Sequence, residues 1–277
     1  MIGRMRHAVR ERQRAGAFEP VAKRVRALLD GVTVVDSRRS VLVWEPRRIV
    51  PSYAVPEADI LGEVVPDARP APPDDGFPTL HPGIPFVVHT APGEPVLVRA
   101  PGGPDAAAGF RQAEPELDGV VVLDFDGFDA WMEEDEPIVS HPRDPFHRID
   151  TMRSSRHVRV ELGGELLAET RRPVLLFETS LPMRTYVPRD DVRMELLVPT
   201  GTHTRCAYKG EARYWSVEGA GAAGEDLAWS YEAPLHDAAR VKDLIAFFDE
   251  RTDVTIDGER MERPNTPWSP NWDGRMA

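Results

Sequence analysis

One stretch of the chain concentrates the groups that can do chemistry. Residues 203–217 read HTRCAYKGEARYWSV and hold the single cysteine, Cys206. Lys209-Gly210 follows closely, with Tyr208, Tyr214 and Trp215 around it. A thiol acts as a nucleophile in its thiolate form, so it needs a cation or a base beside it. Lys209 or Arg205 could supply the cation, and His203 the base. On a strand, residues 203 and 206 point to opposite faces because their separation is odd. Cys206 then shares a face with Tyr208, and Arg205 and Lys209 share the other with Ala207. The plain alternative is a cysteine used for packing.

Lys209-Gly210 can end a strand, with the glycine letting backbone approach a ligand and the ammonium holding an anion as a point charge. The alternative is an ion pair. Glu178 closes the apolar run PVLLFE, and a buried carboxylate needs a cationic or hydrogen-bonding partner; Lys209 and Arg184 are the candidates. Tyr214, Trp215, Trp229 and Tyr231 are of the kind that wall small-molecule pockets, or that fill a core. The candidate ligand-binding set is therefore Glu178, Arg184, Tyr186, Cys206, Tyr208, Lys209, Tyr214 and Trp229. Cys206 and Lys209 are the candidates for covalent catalysis. Asp124 and Asp126 in the run DFD have carboxylate spacing for a metal, but the better reading is a solvated helix start. No metal site is assigned.

The elements that must position these groups follow from composition and pattern. The chain has 277 residues, enough for one large or two medium domains. Its formal charge of -12 and pI of about 5.2 argue against nucleic acid as a partner. With 27 prolines and scarce helical periodicity, strands and turns should dominate. No apolar run approaches the roughly 20 residues needed to span a bilayer. The basic start lacks the apolar core of a secretion signal, so the expected location is the cytoplasm. One cysteine allows neither an internal disulfide nor a multi-cysteine zinc site. No cofactor is expected; a small-molecule ligand and homo-oligomers are the partners left open.

Residues 25–37, VRALLDGVTVVDS, read as two strands around an Asp30-Gly31 turn. Residues 158–192 repeat this pattern. A shift of 133 positions (164 − 31) places Gly31 on Gly164, Arg38-Arg39 on Arg171-Arg172, Glu45 on Glu178 and Tyr53 on Tyr186. A one-residue slip then pairs Pro56 with Pro188 and Asp59 with Asp191. This is an internal duplication. The first copy runs on through a Pro-rich stretch into strand-like PFVVHT and PVLVRA around a turn at Ala91–Glu94, and has neither Cys nor Lys there. VVVLDFDGFDAWM reads as a strand and a short acidic helix. In the second copy Val241, Leu244, Ile245 and Phe248 form a helical stripe. The paired arginines read as a guard on a hairpin edge. The expected divisions are a basic arm over 1–16, a degenerate first β domain over 17–150, a second β domain over 151–262 and a Trp/Pro-rich tail over 263–277. Trp268 and Trp272 should dock the tail onto a surface.

The second copy resembles the domain-of-unknown-function 427 (DUF427) family, labelled nucleotidyltransferase-like in some classifications. The likeness rests on the strand pair before PVLLFE, Tyr186, Thr204-Arg205-Cys206-Ala207-Tyr208-Lys209-Gly210, Tyr214-Trp215, Ala228-Trp229-Ser230-Tyr231, an Ile245–Phe248 helix and the closing VTIDG strand. It covers about 155–260 strongly and the first copy weakly. The family usually has proline where this chain has Ala207, which bears on local stiffness. The resemblance implies a mainly β protein with a few short helices: two tandem Mss4-like or β-tent antiparallel domains. Many β-tent relatives hold zinc with two Cys-x-x-Cys pairs, which this chain lacks. The function expected is binding of a small polar or anionic ligand in the second domain. An enzyme using Cys206 or Lys209 and a structural or partner-binding protein are the rival readings.

Overall fold

A computed structural model describes Ala8, Glu11, Arg12 and residues 15–73, 76–103 and 106–272. The basic arm expected over 1–16 lies mostly outside the described residues, as do residues 273–277 of the tail. The chain divides into two compact units, 1–144 and 145–277, with the division inside the turn-rich stretch 141–150.

The first unit holds β1 (Ala17–Pro20), β2 (Val25–Leu29), β3 (Val32–Ser37), β4 (Val41–Trp44), β5 (Ser52–Pro56), β6 (Glu63–Pro66), β7 (Gly93–Arg99), β8 (Ala106–Gln112), β9 (Val120–Leu123), β10 (Ala130–Glu133) and β11 (Glu136–Ile138). The second holds β12 (Ile149–Arg153), β13 (Val158–Leu162), β14 (Glu165–Thr170), β15 (Val174–Glu178), β16 (Arg184–Val187), β17 (Leu197–Cys206), β18 (Gly210–Val217), β19 (Ala228–Ser230), β20 (Ile245–Phe247), β21 (Asp253–Ile256) and β22 (Glu259–Arg260). The seven-stranded sheets run β1-β4-β5-β9-β8-β7-β6 and β12-β15-β16-β20-β19-β18-β17. The four-stranded sheets run β3-β2-β10-β11 and β14-β13-β21-β22. The two units thus share one antiparallel plan, strand for strand. The protein is mainly β, and the duplication is one of fold as well as sequence.

Local chemistry explains the shared hairpins. Asp30 and Gly31 between β2 and β3 have φ of 49° and 71°, their counterparts Gly163 and Gly164 between β13 and β14 have 59° and 89°, and Asp257 and Gly258 between β21 and β22 have 52° and 87°. Two left-handed central residues make the tight turn whose twist matches antiparallel strands. The paired arginines do more than guard an edge. Ser37 donates to Asp59 at 2.7 Å while Arg39 clamps the same carboxylate. Thr170 donates to Asp191 at 2.6 Å while Arg172 clamps that one. One aspartate therefore staples the β3–β4 corner to the turn after β5, and its counterpart repeats this in the second unit.

Three expectations need correcting. Leu42 pairs with Tyr53, whereas Leu175 pairs with Thr185 and Val174 with Tyr186. The slip thus falls before the tyrosines, and Ala54 holds the register position of Tyr186. Tyr53 therefore faces the core under the four-stranded sheet and donates to Glu133 of β10 at 2.7 Å. Second, the helical stripe is not a helix. A 3-10 turn spans His236–Val241, Asp243 turns the chain at φ 60°, and Ile245–Phe247 is a central strand with every residue buried. A strand buried on both faces needs a continuous apolar run, which also satisfies a short helical stripe. The acidic helix likewise resolves into a 3-10 turn, Phe125–Gly127, and β10. Third, PFVVHT is loop; of the two runs only the second forms a strand, with Pro95 to Arg99 inside β7.

Candidate functional site

Strand register gathers the singled-out residues on one face of the second seven-stranded sheet. Leu176 is opposite Arg184, and Glu178 lies two residues along β15. Tyr186 is opposite Ala246, Ala246 opposite Trp229, and Trp229 opposite Tyr214. Ala212, two residues from Tyr214, is opposite Thr204, and Gly210 is opposite Cys206. Because side chains alternate along strands, Glu178, Arg184, Tyr186, Cys206, Tyr214 and Trp229 share a side. Trp215 points to the other, where Arg189 lies over its ring at 5.2 Å.

The β17–β18 turn completes the group. The strand ends at Cys206, so Tyr208 and Lys209 escape its alternation. Gly210, at φ 92°, starts β18 where a Cβ would meet the Ala233 carbonyl oxygen at 3.3 Å. The Lys209 carbonyl accepts from the Leu235 N–H at 3.1 Å. Held this way, the Lys209 ammonium donates to a Glu178 carboxylate oxygen. The other oxygen accepts from His147 at 3.0 Å, and that imidazole stacks on Tyr208 with centroids 4.2 Å apart. Lys209 therefore lies on the Cys206 side, not with Arg205.

Burial alone would raise the Glu178 carboxyl; Lys209, with His147 behind it, reverses this and holds it down at about 2. Burial would likewise lower Lys209, but Glu178 first, then Cys206 and Tyr186, keep it above the ordinary lysine range. The Tyr186 phenol is pushed up to about 12 by burial, against the pull of Lys209, and accepts from the Trp229 indole at 3.2 Å.

Arg184 does not reach Glu178. It makes a two-pronged pair with Glu250, at 2.8 and 2.5 Å, and lies 3.4 Å from Asp249. Its guanidinium lies over the rings of Trp229 and Trp268, 5.8 and 5.7 Å from their centroids. Burial pushes the Asp249 carboxyl up to about 6. His203 turns to Glu211 at 3.2 Å on the opposite, exposed face, away from the partly buried Cys206. The aromatic walls pack on one another: Phe248 is 4.6 Å from Trp229, 6.4 Å from Tyr214 and 6.4 Å from Trp268. A shallow concavity of about 350 Å³ lies elsewhere on the second unit, lined by His157, Glu169, Thr170, Arg171, Arg172 and Asp191.

The first unit carries its own version. Glu45 follows β4 at the register position of Glu178. It accepts from His89 at 2.7 Å and from the Thr90 N–H at 2.6 Å, and His89 stacks on Phe110 at 3.9 Å. Phe110 pairs with Val122 as Trp229 does with Ala246. Asp124 is not a solvated helix start: it is buried, accepts from the Asp126 N–H at 3.2 Å, and is pushed up to about 6 by burial.

Sequence reasoning missed His147, Glu250 and Thr266. His147 lay in a stretch read only as a boundary. The usable signal was stoichiometric: a buried carboxylate has two oxygens to satisfy, and a buried arginine needs a carboxylate of its own. Among the described residues no group of three or more His, Cys, Asp or Glu could hold a metal ion, and no helix is long and apolar enough to cross a membrane.

Residues 150–258 match the family described as a domain of unknown function, DUF427. No curated protein matches the chain.

Proposed function

We propose, starting from a second unit that is a DUF427 domain, that this unit binds a small polar or anionic ligand beside Lys209. The observation that carries the reading is the Lys209–Glu178 pair, whose side chains are 12% and 5% exposed, set against the Cys206 thiol and the Tyr186 phenol. A buried ion pair is a poor device for stability, since apolar residues of like volume often do better. Charge kept in such a place, beside a thiol and a phenol, is the pattern of a working site. Lys209 supplies a cation, Tyr186 and His147 supply hydrogen-bonding groups, and Trp229 and Tyr214 supply walls.

The enzyme reading keeps Cys206 beside Lys209, with His203 on the opposite face of the strand. The scaffold reading draws on the docked tail, in which Trp268 lies on Arg184. The two-sheet plan is compatible with the β-tent, Mss4-like grouping. Nothing in the cluster speaks for nucleotidyl transfer. The experiment is a thermal-shift series with inorganic phosphate, small carboxylates and nucleotides on the wild type and Lys209→Met. Ligand binding predicts shifts in the wild type that Lys209→Met abolishes while it stays folded. A variant that is merely less stable, with the same response to every compound, sinks the reading.

A further inference from the structure

The family match ends at residue 258, and the chain beyond it folds back onto Arg184, Phe248 and Glu250 of the same unit. After β22, Arg263 bonds to the Thr252 carbonyl at 3.1 Å and to Asp253 at 2.9 Å. Residues 264–269 then hold a turn of their own. The Thr266 N–H donates to the Ser269 hydroxyl at 2.9 Å, and that hydroxyl donates to the Pro264 carbonyl at 3.0 Å. Two side chains of this turn reach the sheet face. Thr266, 3% exposed, donates to Glu250 at 2.5 Å. Trp268 covers Arg184 and meets Phe248, yet remains 46% exposed. No ladder pairing ties the turn to the sheets among the described residues.

Arg184, Trp229, Phe248 and Glu250 all belong to the matched stretch; Thr266 and Trp268 do not. The covered side chains thus lie inside the matched stretch and the covering ones outside it. The face reads two features: a hydroxyl donating to Glu250, and an indole ring within cation–π range of a guanidinium that also lies over Trp229. Proline at 267 fixes the spacing between them. We propose that this face is a docking groove for a Thr-Pro-Trp segment, filled by residues 264–272 as a detachable strap beside the Lys209 cluster.

Two measurements test the strap. In hydrogen exchange on the full wild-type chain, the amides of Thr266, Trp268 and Ser269 should exchange at least ~100-fold faster than those of Tyr186 and Ala246, as expected of a sub-global opening. Equal protection would make the segment an integral part of the fold and overturn the proposal. In the full-length double variant Thr266→Val/Trp268→Ala, a fluorescein-labelled peptide of residues 263–272 should bind at least ~10-fold tighter than to the wild type, where the attached strap competes. A variant with native circular dichroism that ignores the peptide also overturns it, and should the variant not fold, the exchange data decide. Peptide exchange without any response of that variant to phosphate, carboxylates or nucleotides leaves the groove standing and removes the ligand reading.

Discussion

Glu45 and Glu178 hold one position in two copies of the same sheet, and each accepts a hydrogen bond from a histidine lying flat on an aromatic ring. The histidines come from different places: His89 from the loop before β7, His147 from the segment before β12. The carboxylate is thus the shared element, and each unit solves its burial in its own way. The first uses a backbone N–H where the second uses Lys209.

Breaking the pair from the lysine side should be costly. Lys209→Met leaves the Glu178 charge buried with only His147, a loss of about 3–5 kcal/mol for a stranded buried charge. The double variant Lys209→Met/Glu178→Gln should recover much of this. Urea unfolding of the single and double variants checks it; a double variant no better than Lys209→Met means the two do not compensate one another.

Acid should test the same carboxylate. Glu178 titrates at about 2 in the fold against an ordinary 4.5. A lowered acid stabilises fully above its unfolded value, and that stability is lost as pH falls from about 4.5 towards 2. The linkage is worth roughly 3 kcal/mol. Denaturant midpoints between pH 5 and 2 should fall for the wild type and fall less steeply in Glu178→Gln, because Asp36, Asp59, Asp191, Glu250 and Asp253 are also held low and keep part of the slope.

Asp124 has the opposite sign. Its carboxyl is raised by burial to about 6, so the stability it allows is present below its ordinary value of 3.8 and lost as pH rises through 6. Asp124→Asn can still accept from the Asp126 N–H and removes the ionisation, so it should stabilise the first unit at pH 7 by up to about 3 kcal/mol. Calorimetry at pH 7 and pH 4 should show the gain only at the higher pH.

Tyr186→Phe removes the acceptor of the Trp229 indole N–H. A buried donor left unpaired costs about 1–3 kcal/mol. The stability loss should come with a shift in near-ultraviolet circular dichroism from Trp229; an unchanged spectrum would mean that water replaces the phenol.

Much of this was legible in the chain. The shared plan followed from the 133-residue repeat, and the Asp-Gly turns from the conformation those residues permit. The convergence of Glu178 with Lys209 followed from the needs of a buried carboxylate. Periodicity failed where a short apolar run fits two structures: Ile245–Phe247 satisfies a helical stripe and a twice-buried strand alike. Alternation failed at Lys209, because it holds only while the strand continues and β17 ends at Cys206. The Arg184–Glu250 pair was hidden because its partners stand sixty-six residues apart, with no local pattern to join them.

The displaced slip between the copies sets a limit on redesign. Transplanting the Cys206–Gly210 turn into the first unit would put an ammonium near Glu45 and still leave a gap, because a methyl group, Ala54, stands where the second unit has a phenol. Rebuilding the cluster there would take Ala54→Tyr as well, and space cleared against Phe110 and Val122, which already pack on that alanine.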